Sequence, residues 1–93
     1  MVKHIVMWKF DERADAEAAR DRLEGMRGRV PSMLDIETGL DFNGSPAAYD
    51  LVLITSHADR DALQAYQDDP VHGEVKSFLG SLKSRRVVVD FEN

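Results

Sequence analysis

The order of strand-like and helix-like segments along the 93 residues predicts one α+β domain of the ferredoxin-like β-α-β-β-α-β type. Four segments are strand-like, either because their apolar residues alternate with a period of two or because they are short apolar runs, and between them the apolar residues recur every three or four residues, as in helices. A chain of this length cannot support two cores, so we expect a single domain over residues 1–93. This order implies a four-stranded antiparallel sheet with the helices on one face.

The composition limits what can stabilise so small a domain. The chain has no cysteine, which excludes disulfides and thiolate metal sites. A domain of this size buries a modest share of its surface, and oligomerisation is the remaining means of adding to it. The composition therefore already favours an oligomer.

The charge balance argues against two classes of partner. Twelve Lys and Arg against 17 Asp and Glu give a net charge of −5, which disfavours binding to nucleic acid or to an anionic membrane. No stretch approaches the roughly 18 apolar residues of a membrane helix. The apolar start is interrupted by Lys3 and His4 and has no small-residue cleavage site after it, so we expect no signal peptide and a cytoplasmic protein.

The first strand and the first helix follow from a change of period. Residues 2–10, VKHIVMWKF, alternate, so that His4 shares one face with Val6 and Trp8. From residue 14 to residue 27 the apolar positions lie three and four apart, which predicts a helix with one apolar stripe. Glycines and Pro31 end this helix.

Two further strands are predicted in the middle of the chain. Residues 33–42, MLDIETGLDF, carry apolar side chains on one face and carboxylates on the other, which suits an edge strand. The turn Asn43-Gly44-Ser45-Pro46 separates them from residues 49–56, YDLVLITS, whose core is apolar on both faces.

The last third of the chain predicts two helices and a strand. Asp59 is the expected N-cap of a helix that ends near Asp68. Pro70 breaks that helix and fits the first position of the next one, with Asp69 as its N-cap. Residues 85–91 are rich in valine and form the fourth strand.

This fold leaves one apolar sheet face without a cover. The first and third strands are central in it, and helices can cover only one face of the sheet. An uncovered apolar patch on a small protein usually marks an interface. We therefore expect a homodimer in which two sheets pack face to face and form a dimeric α/β barrel. The residues expected on the uncovered face are Ile5, Met7, Val52, Ile54 and Val88.

The segment Tyr66-Gln-Asp-Asp-Pro-Val-His72 is the best candidate for chemistry. His72 lies in the first turn of a helix, where the helix dipole disfavours imidazolium and favours a neutral base. If the break at Pro70 folds Tyr66 back toward it, the phenol can polarise a carbonyl while the imidazole takes an adjacent proton. Alternatively, Tyr66 only packs in the core and His72 only caps the helix.

The other two histidines have different expected environments. His4 points toward the helices, where it either lines the same cavity as His72 or is simply a buried, hydrogen-bonded histidine. His57 falls in a strand-to-helix turn, and we expect it to be exposed to solvent. The three histidines show no metal-ligand spacing, and there is no phosphate loop, dinucleotide turn or nucleophile elbow. We expect no metal and no cofactor.

Several segments together resemble one known family. The opening Val-Lys-His-Ile-Val, the Val30-Pro31 pair, the central Tyr-Asp-Leu-Val-Leu and the stretch from Tyr66 to His72 are similar to the stress-responsive dimeric α/β-barrel (Dabb) family. The resemblance covers the whole chain and implies a ferredoxin-like protomer in a homodimer. It also implies that His4, Tyr66 and His72 match the pocket residues of a cofactor-free polyketide cyclase of that family. A third-strand histidine of that cyclase falls at Leu51 here, which argues against the same substrate.

Two functions follow from these observations. The first is a stress-associated protein that binds a small apolar or aromatic ligand in a pocket between sheet and helices. The second is a cofactor-independent cyclase, lyase or isomerase acting on an aromatic or polyketide-like carbonyl compound, with His72 as base, Tyr66 as hydrogen-bond donor and His4 in the same site. The apolar residues expected to line the pocket are Leu23, Met26, Leu34, Ile36, Leu51 and Val75.

Overall fold

The computed structural model describes residues 1–93 and has the predicted fold class. Its elements are β1 (Val2–Phe10), α1 (Asp15–Glu24), β2 (Asp35–Leu40), β3 (Leu51–His57), α2 (Arg60–Asp68), α3 (Pro70–Gly80) and β4 (Ser84–Glu92). The four strands form one sheet in the order β2-β3-β1-β4, and every neighbouring pair is antiparallel. β1 and β3 are central, as the sequence predicted. None of the helices is long and apolar enough to cross a membrane.

The register of β1 determines which side chains share the helix-covered face. His4 lies opposite Thr55 of β3 on one side and opposite Asp90 of β4 on the other. Directly opposed residues of antiparallel strands project to the same side of the sheet. His4, Thr55 and Asp90 therefore form one row beneath the helices.

The helix α1 and the strand β2 are shorter than predicted. α1 ends at Glu24 rather than residue 27, because the chain turns there and Gly28 takes a positive φ of 75° that favours glycine. β2 pairs with β3 only from Asp35 to Leu40, and Leu34 and Phe42 lie outside this ladder and are exposed, Phe42 fully. The alternation of apolar residues in the sequence therefore extends beyond the residues of β2 that pair with β3.

The break between α2 and α3 has the predicted caps. The Asp59 carboxylate accepts a hydrogen bond from the Ala62 amide at 2.8 Å, and the Asp69 carboxylate accepts one from the Val71 amide at 2.8 Å. Asp69 itself is extended (φ −66°, ψ 133°), so the chain changes direction there before Pro70 begins α3. This change of direction brings the end of α2 next to the start of α3.

A buried carboxylate connects β1 to the start of β3. Asp50 is almost fully buried and accepts hydrogen bonds from the Phe10 amide at 2.9 Å, from Lys9 Nζ at 3.2 Å and from Arg13 Nη1 at 3.3 Å. Burial alone would raise the pKa of this carboxyl, but these donors outweigh it and hold the pKa below its usual value. Asp50 is therefore ionised at neutral pH.

The sheet face away from the helices is apolar and partly exposed, as expected. It carries Ile5 and Met7 of β1 together with Val52 and Ile54 of β3. The predicted facing of the β4 side chains was wrong, because the residues on the uncovered face are shifted by one position along the strand. Val88 lies directly opposite Val6 on the helix-covered side, and Val87, Val89 and Phe91 are the exposed apolar residues of β4 on the uncovered face.

Candidate functional site

A cavity of about 370 Å³ lies between the β1–β4 side of the sheet and the helices α2 and α3. His4, Tyr66 and His72 all line it, so the structure brings together the three residues that the sequence analysis selected. Two of the apolar residues expected there, Leu23 and Val75, line it as well.

Four of the expected apolar residues lie outside the cavity wall. Met26, Ile36 and Leu51 are buried in the core, and Leu34 is exposed just before β2. The strand order explains this difference, because β2 lies at the opposite edge of the sheet from β4 while the cavity is on the β4 side. The apolar wall is instead completed by residues that include Val6, Trp8, Leu53, Leu79 and Leu82.

Tyr66 is the most unusual polar residue of the cavity. It is 0% exposed, and its hydroxyl is the one buried side-chain polar atom without a hydrogen-bond partner. Leaving such a group unpaired costs about 1–3 kcal/mol. Burial raises the pKa of the phenol to about 12, although the charge of Arg86 acts in the opposite direction. At neutral pH Tyr66 is therefore a protonated donor with no acceptor.

All three histidines of the chain surround this tyrosine. The centroid of the Tyr66 ring lies 4.4 Å from that of His72, 5.0 Å from that of His57 and 5.9 Å from that of His4. The reversal at Asp69 is what places His72 over the ring. The expectation that Tyr66 and His72 share one cavity agrees with this geometry.

His72 is held as a neutral base with one free ring nitrogen. Its Nδ1 lies 3.2 Å from the Gln67 carbonyl oxygen, which can only accept, so Nδ1 carries the proton and Nε2 has the lone pair. Burial lowers the pKa of His72 below 6.5, and the charges of Lys76, His4 and Arg86 add to this effect against the opposing hydrogen bond to Gln67. Burial is the largest cause of the lowered pKa of His72.

His4 is oriented by a carboxylate that the sequence analysis did not find. Its Nδ1 lies 2.5 Å from Oδ1 of Asp90 on β4, and the Asp90 side chain is 42% exposed while the imidazole is buried. A carboxylate accepts, so Nδ1 donates and Nε2 is left without a partner. A carboxylate behind a histidine fixes its tautomer and holds the orientation of its ring. The pairing of His4 with Asp90 depends on the β1–β4 register, which no local pattern reveals.

His57 does not have the exposed position that we expected. β3 extends to His57, whose side chain is 0% exposed. Its Nδ1 donates to the Ser32 carbonyl at 2.9 Å, so Nε2 accepts from the Thr55 hydroxyl at 2.8 Å. Burial lowers the pKa of His57. With both nitrogens engaged, His57 supports the Tyr66 ring and does not line the cavity.

Two cations complete the cavity wall and were also missed. Arg86 of β4 lies opposite Trp8, and Lys76 lies one helical turn after His72 on α3. Val88 was expected on the uncovered face, and the same alternation would put Arg86 there, whereas its pairing with Trp8 puts it on the helix-covered face. No group of three or more His, Asp or Glu side chains is arranged to hold a metal ion.

Sequence comparison identifies the family. The model of the stress-responsive A/B barrel domain (Dabb) family matches residues 2–93, so the chain belongs to this family. A search of curated proteins found no match.

Solved structures share the fold. A dimeric protein of unknown function and ferredoxin-like fold from Bacteroides fragilis is 23% identical, with a TM-score of 0.86 over 99% of this chain and 95% of that chain. A hydroxynitrile lyase from Passiflora edulis is 13% identical, with a TM-score of 0.81 over 97% and 90%. SnoaB, a cofactor-independent oxygenase from Streptomyces nogalater, is 17% identical, with a TM-score of 0.78 over 99% and 91%. At these identities the likeness concerns the fold alone.

Proposed function

We propose that this protein is a cofactor-independent enzyme that performs acid–base chemistry on a small aromatic or polyketide-like carbonyl compound, as a cyclase, lyase or isomerase. The observation that carries this proposal is the buried Tyr66 hydroxyl without a partner, beside two imidazoles that each have a free Nε2. Buried polar groups are normally paired, and an unpaired donor in a cavity suits a ligand that supplies the acceptor.

The proposed step uses Tyr66 as donor and His72 as base. The Tyr66 O–H donates a hydrogen bond to the carbonyl oxygen of the substrate, and His72 Nε2 takes a proton from the adjacent carbon. The electron pair of the broken C–H bond forms an enolate whose oxygen stays hydrogen-bonded to Tyr66. The imidazolium then returns the proton to the product, so that the step needs no oxidant or reductant.

His4 has a second role in this proposal. Its Nδ1–H donates to Asp90, so its Nε2 carries a lone pair and can accept the hydrogen bond of a second hydroxyl group of the substrate. In a ring closure, the carbonyl oxygen that the enolate carbon attacks receives the proton that His72 removed, so no other proton source is needed.

Two structural relatives support a catalytic reading without identifying a substrate. One is described as a hydroxynitrile lyase and another as a cofactor-independent oxygenase. Both have this fold, so cofactor-independent catalysis on it would not be without precedent.

The second candidate is a binding protein without turnover. The favouring observation is that eight of the 15 residues lining the cavity are hydrophobic, which suits a small apolar or aromatic ligand. In that case Tyr66 would bond the ligand and the histidines would only complete the wall.

Exchange of protons in D2O separates the two candidates. Ketones of the acetophenone type exchange the hydrogens next to their carbonyl slowly in buffer, and proton NMR follows that exchange without knowledge of the natural substrate. The proposed enzyme should accelerate the exchange, and His72→Ala should reduce the acceleration by about 10²–10⁴-fold, the usual contribution of a general base. Binding of these ketones with exchange no faster than in buffer would identify a binding protein.

We also propose that the working form is a homodimer joined through the uncovered sheet face. The face is apolar across β1, β3 and β4, and monomers rarely expose such a surface. The Bacteroides fragilis relative is described as dimeric, which supports the same assembly here.

A further inference from the structure

The charge of the cavity wall is opposite to that of the chain. The chain has 17 Asp and Glu against 12 Lys and Arg. Even so, none of the 15 residues that line the cavity is acidic, and two of them, Lys76 and Arg86, are cations. The Asp90 carboxylate contacts His4 but does not line the cavity.

Neither cation takes part in an ion pair or a side-chain hydrogen bond that would stabilise the fold. Five of the 12 basic residues pair with a carboxylate, whereas Lys76 and Arg86 are among the seven that make no ion pair, and neither of them makes a side-chain hydrogen bond. An unpaired cation on a surface is ordinary. Two of them on the wall of one cavity, with no carboxylate among the lining residues, make that cavity attractive to an anion.

The positive charges of Lys76 and Arg86 act on the two groups proposed to react with the substrate, Tyr66 and His72. The charge of Arg86 acts to lower the pKa of the Tyr66 phenol and of the His72 imidazole. The charge of Lys76 also lowers the pKa of His72. Because Lys76 and Arg86 line the same cavity as Tyr66 and His72, an anionic group bound between the two cations would lie close to both reactive groups.

We propose that the substrate of this site carries a carboxylate, which Arg86 and Lys76 bind while its carbonyl group lies at Tyr66. The proposal rests on the proposed function and adds the substrate class. A guanidinium binds a carboxylate through two parallel hydrogen bonds, and an ammonium adds a second charge. The carboxylate orients the molecule, so that the carbon next to its carbonyl faces His72.

A pair of matched probes tests this proposal by binding alone. 4-Acetylbenzoate has a ketone and a carboxylate, and 4-acetylbenzamide has the same shape without the charge. Titration calorimetry at neutral pH and low salt should give about tenfold tighter binding of the carboxylate, in line with the strength of charge-assisted hydrogen bonds. Added salt should reduce this preference, since the cations are open to solvent.

Variants assign the preference to the two cations. Arg86→Gln and Lys76→Gln should each reduce the preference for the carboxylate, and the double variant should bind the two probes with equal affinity. Lys83→Gln is the control, because it changes the net charge equally from outside the cavity wall. Equal affinity for both probes, binding of neither, or a preference that survives in the double variant would overturn the proposal.

The two proposals fail in different ways. If the carboxylate preference depends on Arg86 and Lys76 but no proton exchange is accelerated, the anion site stands and the catalytic function is wrong. If exchange is accelerated equally for both probes and neither is preferred in binding, the catalytic function stands and the carboxylate proposal is wrong.

Discussion

Replacing Tyr66 by phenylalanine should make the protein more stable and the proposed enzyme less active. The substitution removes one oxygen and keeps the ring that packs against His57 and His72. The hydroxyl is buried and has no partner, so the folded state bears its desolvation penalty without a compensating hydrogen bond. That penalty is about 1–3 kcal/mol, and Tyr66→Phe should raise the free energy of unfolding by about 1 kcal/mol or more.

Thermal or denaturant unfolding measures this gain. For a domain of this size, 1 kcal/mol corresponds to a rise in Tm of about 4–8 °C. The chain has one other tyrosine, Tyr49, which is only partly buried, and Tyr49→Phe is the matched control with an expected change near zero. Acceleration of ketone proton exchange should fall in Tyr66→Phe and remain in Tyr49→Phe.

A loss of stability in Tyr66→Phe would refute this reasoning. A hydroxyl that is satisfied in the folded state contributes about 1 kcal/mol, and its removal would lower the melting temperature. Tyr66 would then be a structural residue, and its hydroxyl would not be available to a ligand.

Two further predictions concern the interface and the buried carboxylate. Ile54→Lys places a charge on the uncovered sheet face, so sedimentation should give a monomer or an unfolded chain. The control Ala18→Lys, on the exposed side of α1, should sediment like the parent protein. An unchanged mass and Tm for Ile54→Lys would contradict the proposed interface. The folded pKa of Asp50 lies below its unfolded value, so its contribution is complete above about pH 4 and disappears as the pH falls through the folded pKa. The stability difference between the parent protein and Asp50→Asn should therefore be largest near neutral pH and shrink in acid, and a difference that is constant with pH would show that the charge of Asp50 does not contribute.

Features that depend on neighbouring residues were predictable from the sequence. The caps at Asp59 and Asp69 and the break at Pro70 are local, because an N-cap carboxylate accepts from an amide two or three residues further along. These caps placed Tyr66 and His72 correctly relative to each other. The central position of β1 and β3 also followed, since strands that are apolar on both faces need a cover on both.

Features that depend on register were not predictable in the same way. A shift of one residue in the register of β4 moves each of its side chains to the opposite face of the sheet. The continuous valine run of β4 shows no alternation from which the face of each residue could be predicted. Val88 was therefore predicted on the wrong face, and the roles of Asp90 and Arg86 could not be foreseen. His57 was missed for a related reason, because the length of β3 is determined by its partners rather than by its own residues.

The pH dependence of ketone proton exchange, measured beside the NMR titration of His72, tests the central claim most directly. Burial lowers the pKa of His72, so its imidazole should titrate below 6.5 and be a neutral base across the physiological range. The exchange rate above buffer should rise through that same pKa and then stay level until the phenol of Tyr66 ionises near its pKa of about 12. An exchange rate that follows hydroxide with no plateau, or a plateau that begins away from the measured pKa of His72, would contradict the account.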